Sequence, residues 1–277
     1  MRTALTIAGS DPSGGAGIQA DLKTFAAFGL YGASAITAIT VQSTKGVEAV
    51  APLSADLVTA QIEAIAGDLA IHATKVGMLG TAAIVEAVAA AIAELDLPLV
   101  VVDPVLVSSS GERLLDADGV QALGLELFPR ARVVTPNVPE AEALSGRRIA
   151  SGDDAREAAR RIHGMGTAAV VITGGHARWE DLGSRTMSEG SGPQVVDLLF
   201  DGRGFHEFRV ARVDSRQTHG TGCTFASAVA AGLALGWELP DAVSRAQHYV
   251  AGAIAHAPGI GHGRGPLDHF WGGILKQ

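Results

Sequence analysis

Thr3-Ala4-Leu5-Thr6-Ile7-Ala8 runs into Gly9-Ser10-Asp11-Pro12-Ser13-Gly14-Gly15-Ala16-Gly17 and then into Ile18-Gln19-Ala20-Asp21-Leu22-Lys23-Thr24-Phe25. The first six residues form a short apolar run that stops at a turn residue, which reads as a buried strand. Ile18, Leu22 and Phe25 recur at helical spacing, so the whole segment reads as strand, glycine turn, helix. Such a turn lies at the carboxyl edge of a sheet, where open α/β folds bind ligands. It is not a P-loop, because no Gly-Lys-Ser/Thr follows, and it does not fit Gly-x-Gly-x-x-Gly.

The same alternation continues outward from this segment. Ala33 to Val41, Thr74 to Gly77, Leu99 to Val102, Arg132 to Thr135 and Ala168 to Thr173 read as buried parallel strands, with helical stretches such as Ile84, Val88, Ile92 and Leu95 between them. That order predicts a doubly wound α/β sandwich. The pattern breaks between about 194 and 213, where Val195 to Phe200 and His206 to Val213 flank Asp201-Gly202-Arg203-Gly204, a hairpin signal. Two Ala-rich helices follow, near Gly222 to Leu235 and Pro240 to Ala257, and then a glycine-rich tail from Gly259 to Pro266. Neither a repeat nor a linker interrupts the chain, so residues 1–277 are expected to form one unit. The polar stretch from Ala177 to Pro193 is expected to be a surface insertion.

The 277 residues are 47% hydrophobic and 18% charged, with 35 glycines and 5% aromatics, a composition suited to an aliphatic core crossed by tight turns. A formal net charge of −8, with no cluster of Lys and Arg, argues against a nucleic-acid surface. The apolar run at the N-terminus is too short for a signal-peptide core or a membrane span, and the single cysteine fits a reducing compartment; a cytoplasmic location is therefore expected.

The segment with the most chemistry is Thr218-His219-Gly220-Thr221-Gly222-Cys223-Thr224, which leads directly into an apolar helix. Its glycines let several N–H groups converge at a helix N-terminus, where free donors and the helix dipole favour an anion such as a phosphate in transfer. The helix start is expected to lower the Cys223 pKa, so that a thiolate could take a proton from a substrate hydroxyl. The residues alone also fit a glycine turn followed by a small buried thiol. Asp103 closes Val100-Val101-Val102, and Glu140 opens the helix after Thr135-Pro136-Asn137-Val138-Pro139; two carboxylates at one sheet edge could hold Mg²⁺. Glu140 in a first helical turn also reads as ordinary helix chemistry. No His has a partner at metal-ligand spacing, and His219 can be read simply as a polar loop residue.

Together with Lys75-Val76-Gly77-Met78-Leu79, these segments resemble the hydroxymethylpyrimidine/phosphomethylpyrimidine kinases of thiamine biosynthesis, a branch of the ribokinase-like superfamily. The resemblance spans nearly the whole chain. It implies a three-layer α/β/α sandwich with a mostly parallel sheet, a homodimer, and an ATP- and Mg²⁺-dependent enzyme that phosphorylates a pyrimidine alcohol and then its monophosphate at one site. It further implies that Gly9, Asp21, Gln42, Met78 and Val105 line the pyrimidine pocket. Thr135, Asn137, Thr173, Gly175 and Thr218 would touch the nucleotide, with Asp103 and Glu140 at the metal. Gly220, Thr221, Gly222 and Cys223 would be catalytic, Cys223 standing where related sugar kinases have an Asp base. Many relatives have Lys in place of Thr173, and its loss is expected to weaken phosphate binding unless another group, such as Lys45, Arg113, Arg185 or Arg212, replaces it. Ser108 to Arg113 falls where relatives have a mobile flap. Pyridoxal kinases share the Gly-Thr-Gly turn and form the second reading, and a non-catalytic pyrimidine-binding module the third.

Overall fold

Val100, Val101 and Val102 point alternately to opposite faces of a sheet, as period-two geometry requires, and feed two separate cores. The structure, a computed structural model, describes residues 1–108, 111–175 and 193–272. Among them, β1 (Thr3–Ser10), β2 (Tyr31–Ser43), β3 (Gly46–Pro52), β4 (Ala73–Val76), β5 (Val100–Val102), β6 (Val133–Val134), β7 (Val170–Ile172), β8 (Gln194–Phe200) and β9 (Phe205–Ala211) form one sheet. Its order is β3-β2-β1-β4-β5-β6-β7-β8-β9. From β2 through β7 every neighbouring pair is parallel, while β3, β8 and β9 are joined antiparallel at the two ends.

The helices are α1 (Gly17–Ala27), α2 (Ala55–Ala66), α3 (Ala82–Glu94), α4 (Ala117–Ala122), α5 (Val138–Ser145), α6 (Gly152–His163), α7 (Thr221–Ala234) and α8 (Leu239–Ala255). One core packs Val58, Ile62, Ile84, Val88, Ala158 and Ile162 of α2, α3 and α6 on Leu5, Ile7, Val102 and Ile172. The other packs Phe25, Val229 and Val243 of α1, α7 and α8 on Ala4, Val101, Val133 and Val171. The expected α/β/α sandwich and the hairpin near 195–213 are therefore present, each buried Val, Ile or Leu contributing roughly 1.5–3 kcal/mol. The sequence reading missed β3. Both faces of that edge strand are largely exposed, so Gly46 to Pro52 carries no alternating pattern. The far end of β2 is correspondingly not a buried parallel strand, since Ile39 and Val41 are exposed and pair with β3. The expected insertion at 177–193 lies outside the described residues except for Pro193.

Side chains of Ser54, Thr81, Asn137 and Ser151 cap α2, α3, α5 and α6. The N-termini of α1 and α7 have no side-chain cap, and these two helices pack together.

On β8, buried Asp197 accepts hydrogen bonds from Gly174 N–H (2.8 Å) and Gln247 Nε2 (2.9 Å), tying the sheet to α8 and to the loop after β7. Burial pushes its carboxyl up to about 6, against these two bonds. The folded state therefore holds more protons than the unfolded chain between about pH 4 and 6. Stability falls as pH rises through that window, by at most about 3 kcal/mol. Asp197→Asn should flatten this slope and raise Tm at pH 7 by about 2–5 °C, because it retains an acceptor for Gly174 and removes a buried charge. Calorimetry from pH 4 to 8 checks this; an unchanged slope would refute it.

Candidate active site

Gly220 has φ +82°, a left-handed value that glycine adopts without strain, and a Cβ there would lie 1.9 Å from the carbonyl oxygen of Gly15. The two glycine loops of the sequence therefore interlock backbone to backbone. Gly220 is the N-cap of α7, and the first i→i−4 bond runs from Thr224 N–H to Gly220 O (2.8 Å). The Thr221 hydroxyl donates to Thr218 O (2.6 Å), closing the turn. The N–H groups of Gly222 and Cys223 precede that first helical bond, at the positive end of an apolar helix. The geometry is that of an anion nest.

Asp103, carried past the end of β5 and held by its N–H to Val76 O (2.8 Å), faces this nest. Its two carboxylate oxygens are each 3.8 Å from where a Gly222 Cβ would stand. Burial raises its carboxyl to about 6; Lys75 pulls it down, Asp21 pushes it up, and a hydrogen bond from Cys223 favours the charged form. Glu140 meets the helix-chemistry reading. Asn137 N–H donates to its Oε2 (2.9 Å) and its own N–H donates to Asn137 Oδ1 (3.0 Å), a complete capping box. It is also buried, and burial followed by repulsion from Asp103 raises it to about 8. Two buried carboxylates that repel each other beside an anion nest suit a divalent cation.

Cys223 does not meet expectation. The residue is only partly shielded from solvent, yet burial of the thiol, reinforced by Asp103 and Asp21 and opposed by Lys75, pushes its pKa up to about 12. A helix terminus is worth less than the loss of hydration and two nearby carboxylates.

Asp21 lies on α1 and bonds to β1, β4 and α7. It is fully buried, with Oδ1 accepting from Ser227 Oγ (2.6 Å) and Oδ2 from Thr6 Oγ1 (2.6 Å) and Lys75 Nζ (3.0 Å). Both oxygens are thus engaged within the protein. Lys75 is equally buried; burial alone would discharge it, but the Asp21 carboxylate, with Asp103 behind it, holds the ammonium charged. A Cβ on Gly77 would come within 2.6 Å of Nζ, so Gly77 gives the ammonium its room. Lys75 is absent from the expected site residues, although a lysine inside the buried run Ala73-Thr74-Lys75-Val76 was the available signal.

Of the other expected pocket residues, Gly9 and Met78 adjoin: a Cβ on Gly9 would lie 3.1 Å from Met78 Sδ. Gln42, one residue from the end of β2, lies 3.1 Å from Thr40 Oγ1 and 3.3 Å from His219 Nε2. Val105 is half-buried, its N–H on Asp103 O (2.9 Å). Thr135, Asn137 and Thr173 sit side by side at the ends of β6 and β7, where Asn137 and Thr173 form a bridge and Thr173 N–H donates to Pro136 O (2.9 Å). Gly175 follows on the surface, and Thr218 belongs to the nest turn. Lys45, Arg113 and Arg212 are exposed, and Arg185 lies outside the described residues. Within the expected flap, Ser109 and Ser110 also lie outside them. The flanking residues are joined by Ser108 N–H to Glu112 O (2.8 Å) and a Val107–Arg113 bridge.

Residues 11–268 match the family model for phosphomethylpyrimidine kinase. The chain belongs to that family. The hydroxymethylpyrimidine/phosphomethylpyrimidine kinase of Rhizobium meliloti is 48% identical over 271 residues, covering 96% of each chain. The thiamine biosynthesis bifunctional protein ThiED of Geobacter sulfurreducens is 45% identical over 266 residues, and the chain spans 52% of its length. Among solved structures, the ADP complex of Bacillus subtilis pyridoxal kinase superposes with a TM-score of 0.84 at 39% identity, over 98% of both chains. A phosphomethylpyrimidine kinase from Clostridium difficile gives 0.77 at 39% identity, over 92% of this chain and 100% of that one. The ribokinase-like architecture shared by the family is thus the fold of this chain. Among the described residues, no helix is long and apolar enough to cross a membrane.

Proposed function

We propose that this chain is a single-unit kinase that transfers the γ-phosphoryl group of ATP to 4-amino-5-hydroxymethyl-2-methylpyrimidine and then to its monophosphate. The observation that carries this reading is the convergence of the uncapped α7 nest, the Asp103–Glu140 carboxylates and the Gly9–Met78 pocket floor in a member of the phosphomethylpyrimidine kinase family. Gly222 and Cys223 N–H groups would hold the phosphoryl group in transfer, and Thr135, Asn137, Thr173, Gly175 and Thr218 would bind the nucleotide. Gly9, Gln42, Met78 and Val105 would orient the ring. Asp103 and Glu140 would hold Mg²⁺, which neutralises phosphate charge during transfer. Cys223 would face the hydroxymethyl oxygen. With its thiol raised to about 12, it acts as a base only when that bound cation favours the thiolate.

The test is ADP release by the purified protein with Mg-ATP and either the pyrimidine alcohol, its monophosphate or pyridoxal. Turnover of both pyrimidines is expected, and failure on both would end this reading. Pyridoxal is a second acceptor to examine, because pyridoxal kinases of Bacillus subtilis and Staphylococcus aureus share the fold at TM-scores of 0.84 and 0.86. On β2 and β3, Ile39 pairs with Ala51 and Val41 with Ala49, giving an exposed apolar strip that supports a homodimer. Sedimentation at micromolar concentration should return twice the chain mass; a monomer would refute it. The family's soluble chemistry suits a cytoplasmic location.

A further inference from the structure

His219 is buried beside Asp11, the two side chains retaining 7% and 3% of their exposure, with Nε2 2.8 Å from Asp11 Oδ2. A carboxylate only accepts, so the imidazole N–H donates. Asp11 otherwise serves its own loop. Its Oδ2 takes bonds from Ser13 Oγ (2.9 Å) and Ala16 N–H (2.8 Å), and its Oδ1 takes one from Ser13 N–H (2.8 Å). Burial alone would raise the Asp11 carboxyl, but the bonds from His219 and Ser13 outweigh it and keep the group below its ordinary value. Of the bonds to the Asp11 side chain, the one from outside the loop therefore comes from the residue immediately before the nest glycine.

The His219 backbone is fixed as well, its N–H on Gly265 O (3.1 Å) and the residue bridged to Pro266. A Cβ on Gly15 would lie 2.4 Å from the imidazole Cδ2, so the ring packs closely against the glycine loop. On its other side, Gln42 Nε2 lies 3.3 Å from the same Nε2. The Gln42 amide therefore meets the same imidazole edge as Asp11, and either its Oε1 or its Nε2 can face it by a flip of the amide. A ligand that hydrogen-bonds the Gln42 amide fixes which end of it faces His219, and so bears on the His219–Asp11 bond.

We propose that His219, held by Asp11, is the positioning residue that couples recognition of the substrate ring at Gln42 to the phosphate nest at Gly220. The inference rests on the pyrimidine and phosphate assignments made above. Binding of an alcohol whose ring engages Gln42 then favours the nest geometry that receives the nucleotide phosphates, and by linkage the effect is reciprocal.

Calorimetry measures it on the intact protein, with Mg²⁺ and the non-hydrolysable ATP analogue AMP-PCP titrated in the presence and absence of the pyrimidine alcohol. Wild type is expected to bind the analogue about fivefold or more tightly when the alcohol is present. His219→Leu should reduce that ratio to less than about twofold while each ligand still binds alone, and His219→Gln, which can return an N–H to Asp11, should recover part of it. Asp11→Asn tests the same link from the other side if His219→Leu folds poorly. A purely structural role would weaken both ligands without changing the ratio. Retention of the full ratio in His219→Leu overturns the inference, as does wild-type protein that binds both ligands without coupling. If the alcohol does not bind wild type at all, the pyrimidine reading of the site falls and the inference with it.

Discussion

Gly220→Ala lowers kcat by about 10²–10³-fold at saturating Mg-ATP and pyrimidine alcohol. The expectation follows from two facts at one atom. Alanine at φ +82° costs about 1–2 kcal/mol in backbone energy, and its Cβ would lie 1.9 Å from Gly15 O, a backbone atom with no room to yield. The loops must separate by about 1 Å or more, which misaligns the N–H groups of Gly222 and Cys223 with the phosphoryl group. Cys223→Ser leaves this geometry intact and removes only the thiol. Because phosphoryl transfer depends chiefly on positioning and charge, and because the thiol stands at about 12, the serine variant should retain a clearly larger share of kcat than Gly220→Ala. Equal losses in the two variants would show that the base matters as much as the nest, and a Gly220→Ala enzyme near wild-type kcat would remove the nest from the mechanism.

The parts of this molecule legible in the sequence are those governed by local pattern. Val100-Val101-Val102 could be read as a two-faced strand because both faces are buried in apolar cores, whereas β3 escaped because neither face of Gly46 to Pro52 is buried enough to leave a period. The nest was legible because a glycine turn before an apolar helix has one physical consequence wherever it occurs. The electrostatics were not. Whether Cys223 is acidified depends on Asp103 and Asp21, 120 and 202 residues distant in sequence, and on hydration lost when the layers pack. Asp21 entered only through the resemblance, because helical spacing alone does not say that Thr6, Lys75 and Ser227 converge on it from β1, β4 and α7. His219 read as a loop residue for the same reason, its partner Asp11 being 208 positions away.

Lys75→Met destabilises the protein by about 3–5 kcal/mol, a Tm loss of roughly 6–20 °C. Asp21 keeps its bonds from Thr6 and Ser227, both 2.6 Å, but loses the ammonium at 3.0 Å, which leaves a fully buried carboxylate facing Asp103 with no cation to offset either charge. The cost comes from the stranded charge more than from the missing contact, since exchanging a whole buried ion pair for neutral groups is often close to neutral. The double variant Lys75→Met/Asp21→Asn should therefore recover most of the lost Tm, while its kcat/KM stays at least about tenfold below wild type because Asp103 and Cys223 still lack the positive charge under the nest. Denaturant unfolding and steady-state kinetics on the same preparations separate the two effects. A single variant within about 1 kcal/mol of wild type would refute the stranded-charge account. A double variant with full activity would reduce Lys75 to scaffolding.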